Sequence, residues 1–407
     1  MYVLQSLALP RLCSQLWVAE GLRELVLELE PGRAVRSAVS ARLAYVGILT
    51  QLSSLQLRGV ALTVEGEQLV AALSPLTGLT RLNLRFDSKD DLEDVLPAFP
   101  WGDAVCGLTR LLELRVTTAS ASEDTEKCAN MFKGAFPAAL SRLAALRHLE
   151  VLGMNDQDAG SNELQLSGLP TLETAALRLH TLSYRCPGLL LRQQVVLSRL
   201  VSLSLALRVD INAADPSADT WLPAIVAPAL TELVLNDIRL ALDSKQLSWL
   251  PRLPKLRRLE LKDVKTASDQ LPQGVMGCSG LTELVMQHVV VSSSSKLGCW
   301  LHGSKSRLRS LLAAGPYLSQ LICIDLSRNA FRGVPLSLAA ATALQELSLS
   351  EQQPRRSGAS RHAAAALALE VLEELPHLRR VNLQGFKDSG LGIRRFREAC
   401  PDVSITI

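Results

Sequence analysis

The stretch GCWLHGSKS (298–306) comes close to spelling a phosphate-binding loop. Such a loop needs two glycines set apart by four residues, then Lys and Ser or Thr. Its backbone N–H groups cradle the phosphates, and the lysine reaches their distal oxygens. Gly298 and Gly303 have that separation, but Ser304 holds the lysine place and Lys305 falls one residue late. The reading is a polar loop without a nucleotide. Cys278, His288, Cys299 and His302 raise the question of zinc. Only Cys299 and His302 are locally spaced as ligands, whereas zinc sites ordinarily show two such pairs. Buried thiols and polar turn residues are the expectation. The six histidines (148, 180, 288, 302, 362, 377) are scattered, and no Gly-x-Ser-x-Gly nucleophile turn occurs. Neither His148 nor His377 has a sequence-local acid and nucleophile beside it. The sequence therefore predicts no catalytic residue, metal ligand or cofactor, and an enzyme with an unrecognised site is the alternative of a different class.

The elements that position the remaining side chains follow from a repeat. The spelling Leu-x-x-Leu-x-Leu begins at Leu4, Leu22, Leu52 and Leu79, and more loosely at Leu111, Leu146 and Leu172. It returns at Leu200, Leu230, Leu256, Leu281, Leu321, Leu344 and Leu378. From Leu22 to Leu378 the steps run from 23 to 40 residues. Their mean of about 30 is a repeat-protein period once insertions are allowed for. Leucines at the fourth and sixth places alternate with polar residues, which is strand periodicity. Strands this far apart need crossovers and so pair in parallel. Residues 64–73 and 361–375 are rich in helix formers with apolar residues at helical spacing, and read as crossover helices. One repeat cannot cover its own leucine row, so neighbours stack.

The most specific stretch is LICIDLSRNAFRGVPLSLAAATALQELSLS (321–350), with Asn329 at the ninth place followed by Phe331, Val334, Pro335, Leu338 and Leu344 in order. Over nearly its whole length the chain resembles the leucine-rich repeat family. Within it, the repeats are similar to those of ribonuclease-inhibitor-like proteins and of F-box proteins with leucine-rich repeats. In the family the ninth-place asparagine bonds backbone groups inside the turn; here that place more often holds Val60, Asp87, Ile238, Val264 or Val289. The resemblance implies an α/β fold: a right-handed leucine-rich repeat solenoid, with a curved parallel sheet on the concave side and helices and loops on the convex side. The expected organisation is a solenoid of about fourteen repeats over 1–386, with irregular insertions near 86–107, 117–130, 292–307 and 352–362. A C-terminal capping helix and strand over 387–407 follow. The chain enters the repeats at once, without a visible capping segment or F-box.

Composition narrows the function classes. Lys and Arg total 43 against 40 Asp and Glu, a net charge of +3. This near balance argues against a whole-chain nucleic-acid footprint, which needs a basic excess. Hydrophobic residues make 48% but aromatics only 4%, so the core must be aliphatic. The eight cysteines form no C-x-x-C pair in a long chain, unlike a secreted disulfide scaffold. The start lacks the basic-then-apolar order of a signal peptide, and no stretch of about 18 uncharged apolar residues exists. The expectation is a soluble, cytoplasmic protein, with nuclear or cytoskeletal and ciliary placement as alternatives.

Binding would then use the third, fifth and seventh places, which point to the concave side and stack as columns from repeat to repeat. The third-place column pairs opposite charges at Arg81/Glu113, Glu232/Arg258/Glu283 and Glu346/Arg380 and reads as structural. The fifth place is mixed and includes Arg115. The seventh holds Arg58, Arg85, Arg178, Lys262 and Gln384, with Glu28 its acidic member, and reads as cations without a same-column carboxylate beside them. Arginine forks onto carboxylates. Arg58, Arg85, Arg115, Arg178, Lys262 and Gln384 are therefore the candidate partner-binding residues, and the partner is a protein with an acidic segment. Nucleic acid, membrane insertion and a small-molecule substrate are not expected. The function read from the sequence is a noncatalytic protein–protein interaction scaffold. The resemblance supplies two alternatives: a substrate-recognition adaptor of a ubiquitin ligase whose F-box is missing from this chain, and a cytoskeletal or ciliary assembly component.

Overall fold

The computed structural model describes residues 2–5, 22–28, 43, 46–61, 66–87, 101–105, 107–119, 143, 145–152, 181–185, 195–196, 199–206, 225–242, 247–266, 271–291, 312, 315–329, 334–351, 369–385 and 391–407. The chain divides into two compact units, 1–215 with 223–225 and 216–222 with 226–407. Each is an α/β leucine-rich repeat solenoid.

In the first unit the strands are β1 (Tyr2–Gln5), β2 (Glu24–Glu28), β3 (Ser54–Ala61), β4 (Arg81–Asp87), β5 (Glu113–Ala119), β6 (His148–Leu152), β7 (Thr181–Arg185) and β8 (Ser202–Ala206). They pair in chain order, all parallel. The second unit repeats the plan with β9 (Glu232–Leu242), β10 (Arg258–Thr266), β11 (Glu283–Gln287), β12 (Cys323–Asp325), β13 (Glu346–Ser348), β14 (Arg380–Asn382) and β15 (Ser404–Thr406). Their pairing is again parallel.

The leucine spelling drives this order. Register sets fourth place against fourth and sixth against sixth, as in Leu25↔Leu55↔Leu82 and Leu27↔Leu57↔Leu84. All six are buried, and full burial of such a side chain stabilises by about 1.5–3 kcal/mol. The first-place leucine closes a turn, its N–H donating to the carbonyl three residues back. Examples are Leu79 to Leu76 at 2.9 Å and Leu344 to Ala341 at 3.0 Å. The working spelling is thus longer than the sequence reading, with an apolar residue three places ahead: Leu76, Leu79, Leu82 and Leu84 are all buried. At the second place one carbonyl serves two donors. Ser53 O accepts from the N–H groups of Thr80 at 2.8 Å and Arg81 at 3.0 Å. The Thr80 hydroxyl adds a third bond to the same carbonyl at 2.9 Å. Such bonds lock one repeat to the next independently of its other side chains.

Among the described residues, the helices of the return segments are short. Helix α1 (Gly66–Leu73) falls within the expected 64–73 and buries Leu69, Ala72 and Leu73. Helix α2 (Trp101–Val105) lies between β4 and β5, inside the segment read as an insertion. The second unit uses α3 (Gln273–Met276), α4 (Glu370–Glu373) and 3-10 turns at Leu250–Arg252, Leu318–Gln320 and Leu336–Ala340. Of the helix expected over 361–375, α4 is the part within the described residues. A Cβ on Gly274 would lie 1.8 Å from the Leu247 carbonyl oxygen, so only glycine fits in α3 there. Helix α5 (Leu391–Ala399) is followed by β15 at the C-terminal end.

Two repeats differ from the sequence reading. Leu4 stands opposite Leu27, at the sixth place rather than the first. The strand paired to β6 is Thr181–Arg185, so that repeat is spelled from Leu179 and not from Leu172. Both are ambiguities of leucine-rich segments in which several alignments satisfy the same spacing.

Candidate functional site

The outward side chains form the columns that the spacing implies. In the first unit the third place runs Glu24, Ser54, Arg81, Glu113, His148, Thr181, Ser202. In the second it runs Glu232, Arg258, Glu283, Cys323, Glu346, Arg380, Ser404. Alternation places these side chains on the face opposite the leucines.

The charges on the first unit's face pair differently from the sequence expectation. Arg58, expected to lack a carboxylate in its column, bonds Glu28, its register partner on β2, at 2.9 Å. With its amide oxygen turned toward Arg58, Gln56 also accepts from the guanidinium Nε at 2.9 Å and Nη2 at 3.1 Å. Arg115 is held between Glu113 at 2.5 Å and Glu150 at 3.4 Å. Glu113 therefore faces Arg115 along its own strand, and the expected Arg81/Glu113 pair is not formed. Arg81 and Arg85, both exposed on β4, have no carboxylate partner among the described residues. Arg178 lies outside the described residues. The seventh place next to Leu152 belongs to Arg185.

On the second unit's face, Arg258 binds Glu232 at 3.3 Å, Glu260 at 2.9 Å and Glu283 at 2.6 Å, tying β9, β10 and β11 together. Lys262, read as having no carboxylate beside it in its own column, bonds Glu260 of the neighbouring column on the same strand at 2.5 Å. Glu260 is 5% exposed. Burial pushes its carboxyl up, but the bonds from Lys262 and Arg258 outweigh this and hold it below the ordinary range. Arg380 bonds Glu346 at 2.9 Å, as the sequence predicts. Arg258, Glu260, Lys262, Glu283, Glu346 and Arg380 line an open trough of about 380 Å³ together with Val285 and Ser348. Cys323, between Glu283 and Glu346, is pushed up to about 11 by burial first and then by Glu283, Glu346 and Asp325, so it is a thiol at neutral pH. Gln384 follows β14 and is exposed; its N–H donates to Asn382 Oδ1 at 3.0 Å and its carbonyl accepts from Glu351 N–H at 2.7 Å.

One class of positions went unread in the sequence. The eighth place is left-handed in one repeat of the first unit, at Gly59 (φ 76), and in five successive repeats of the second: Asp263 (φ 49), His288 (φ 53), Arg328 (φ 59), Glu351 (φ 52) and Gly385 (φ 82). The turn swings the ninth residue inward, where Val264, Val289 and Asn329 are buried. Asn329 accepts from Val289 N–H at 2.8 Å and donates to the Met286 and Leu326 carbonyls at 2.6 and 2.8 Å, the role expected of it. The eighth-place side chains also pair, Asp263 with His288 and Arg328 with Glu351 at 2.8 Å. The glycines at 59 and 385 were the readable signal.

Among the described residues no group of three His, Cys, Asp or Glu side chains is placed to hold a metal. The phosphate-loop-like segment, with Cys299 and His302, lies outside them. Cys278 is a buried free thiol whose Sγ donates to the Gly274 carbonyl at 3.3 Å. Among the described residues no helix is long and apolar enough to cross a membrane.

No family model matches the chain, and no curated protein matches it. Among solved structures it is similar to an internalin from Listeria monocytogenes, at 15% identity, covering 98% of this chain and 93% of that one with a TM-score of 0.46. It is also similar to a leucine-rich repeat protein of Leptospira interrogans, at 16% identity, covering 95% and 90% with a TM-score of 0.44. The fold assignment rests on the strand register and the leucine rows themselves.

Proposed function

We propose that the chain is a noncatalytic protein–protein interaction scaffold that binds its partner with the outward face of its repeat sheets and the flanking loops, in the cytoplasm. The observation that carries this reading is the separation of duties along each strand. Among the described residues, first, fourth and sixth places are buried and aliphatic, while third, fifth and seventh places lie on the opposite face and change type from repeat to repeat. Such a surface varies without disturbing the core, which suits recognition of a large partner. The partner is read as a protein with an acidic segment, because arginines on the first unit's face suit carboxylates. The readings as a ubiquitin-ligase adaptor or a cytoskeletal or ciliary component rest on resemblance alone.

Photo-crosslinking in cells tests this. A crosslinking side chain is placed outward at Asn83 or Ser348, and on return segments at Gln273 or Ala340. Partner adducts from the outward places are expected. Adducts only from the return segments would reject the reading.

A further inference from the structure

Not all outward cations can meet a partner. Arg58, Arg115, Arg258, Lys262 and Arg380 each lie within 3.4 Å of a carboxylate of the chain. Among the outward-column cations whose side chains are described, Arg81 and Arg85 stand apart. They share one strand, both are exposed, and neither has a carboxylate partner among the described residues. Their neighbours in register remove the nearest competitors. Arg81 lies between Ser54 and Glu113, whose carboxylate is turned to Arg115. Arg85 lies between Arg58, occupied by Glu28, and Thr117. Between the two arginines, on the same face, is the half-buried Asn83.

Strand geometry fixes the spacing. Four residues at about 3.3 Å each separate Arg81 and Arg85 by roughly 13 Å along β4. An extended polypeptide lying along the strand has the same rise and the same alternation, so its residues i and i+4 point one way over the same span. Carboxylates four apart on a helix are only about 6 Å apart along the axis and cannot reach both guanidiniums in their outstretched positions. A guanidinium is permanently charged and forks onto a carboxylate with two parallel bonds.

We propose that β4 is a recognition strip for an extended acidic segment of a protein partner. Arg81 and Arg85 take two carboxylates four residues apart, and Asn83 hydrogen-bonds the peptide between them. The inference rests on the scaffold reading and gives its partner a conformation and a spacing.

The test is fluorescence anisotropy of the full chain with a labelled peptide whose centre reads Glu-Thr-Ser-Thr-Glu. A second peptide has the same composition with its glutamates adjacent. The spaced peptide is expected to bind more tightly, with affinity falling as salt rises. Arg81→Ser and Arg85→Ser should each weaken it about fivefold, the upper range for an exposed ion pair, and Arg380→Ser should leave it unchanged. Both β4 positions are exposed, and an unaltered urea midpoint confirms that each variant is folded. Equal binding of the two peptides, or indifference to both β4 substitutions, overturns the proposal. So does tighter binding, through the same arginines, of a single-stranded oligonucleotide of equal charge. Absence of peptide binding overturns it too. Outward-face crosslinks retained in that case would leave the scaffold reading standing, so the two failures are distinguishable.

Discussion

The Glu113 carboxylate accepts from Arg115 Nε at 2.5 Å, two residues along its own strand, although Arg81 stands opposite it in register on β4. That choice leaves Arg81 without its cross-strand partner. Glu150 also approaches Arg115, at 3.4 Å, so the three side chains form a local set.

Removing Arg115 should therefore reach beyond its own position. Arg115→Ala frees Glu113 to pair with Arg81. Stability should change by less than about 1 kcal/mol, because the lost pairs are exposed. Affinity for the spaced acidic peptide should fall about twofold, since a neighbouring carboxylate then competes at Arg81. Anisotropy and urea unfolding, measured on the same preparation, check both parts.

Asn329 holds three bonds inside the second unit, one accepted from Val289 and two donated to Met286 and Leu326. Asn329→Ala leaves these backbone groups buried without a partner. The expected loss is about 2–4 kcal/mol, more than one ordinary hydrogen bond, because unsatisfied buried groups retain their desolvation cost. Chemical denaturation followed by circular dichroism measures it.

Gly274 tolerates no side chain. A Cβ would sit 1.8 Å from the Leu247 carbonyl oxygen and 3.2 Å from Ser248 N, both backbone atoms. Gly274→Ala must displace the chain at 247–248 or unwind α3, at a cost of about 2–3 kcal/mol. An unfolding midpoint within error of the parent would show that the approach relaxes freely.

Glu260 ties part of the stability to acid. Its folded carboxyl is held below the ordinary range by Lys262 and Arg258, against the upward push of burial. A lowered folded value means the contribution is present above the unfolded value and lost as the pH falls through the folded one. Stability should thus decline below the usual glutamate range. Glu260→Gln should flatten that decline while lowering stability at neutral pH, where the charge-assisted bonds to Arg258 and Lys262 are lost. Urea midpoints from neutral to acid pH give both slopes.

The eighth place offers a backbone test. Gly385 has φ 82 and adopts it without steric cost, unlike residues carrying a Cβ. Gly385→Ala should cost about 1 kcal/mol. Arg328, at φ 59, already bears that strain, so Arg328→Gly should recover part of what it loses with its exposed bond to Glu351.

Much of the architecture was legible because it depends on local period. Leu82 and Leu84 sit on one face by alternation, Leu79 joins them through the turn before β4, and their recurrence forces parallel stacking. The columns and the role of Asn329 follow from that spacing. The repeat near Leu172 was misplaced because the stretch 172–185 offers leucines at more than one suitable phase, and only pairing with β6 selects Thr181–Arg185. The left-handed eighth place was half visible, since glycine marks it at 59 and 385 while Asp263, His288, Arg328 and Glu351 disguise it.

The sequence by itself determined the leucine rows, the parallel order and the outward places, since burial of a full aliphatic row outweighs any competing arrangement. The tertiary structure alone decided which of those outward charges are spent on one another. Arg58 goes to Glu28, Lys262 to Glu260 and Glu113 to Arg115, leaving Arg81 and Arg85 on β4 without a carboxylate partner among the described residues. The exposed pairs, Arg58 with Glu28 and Arg115 with Glu113, differ by no more than about 1 kcal/mol from their alternatives. At that scale the choice among neighbouring carboxylates rests on reach and angle between strands, which appear only once the repeats are stacked.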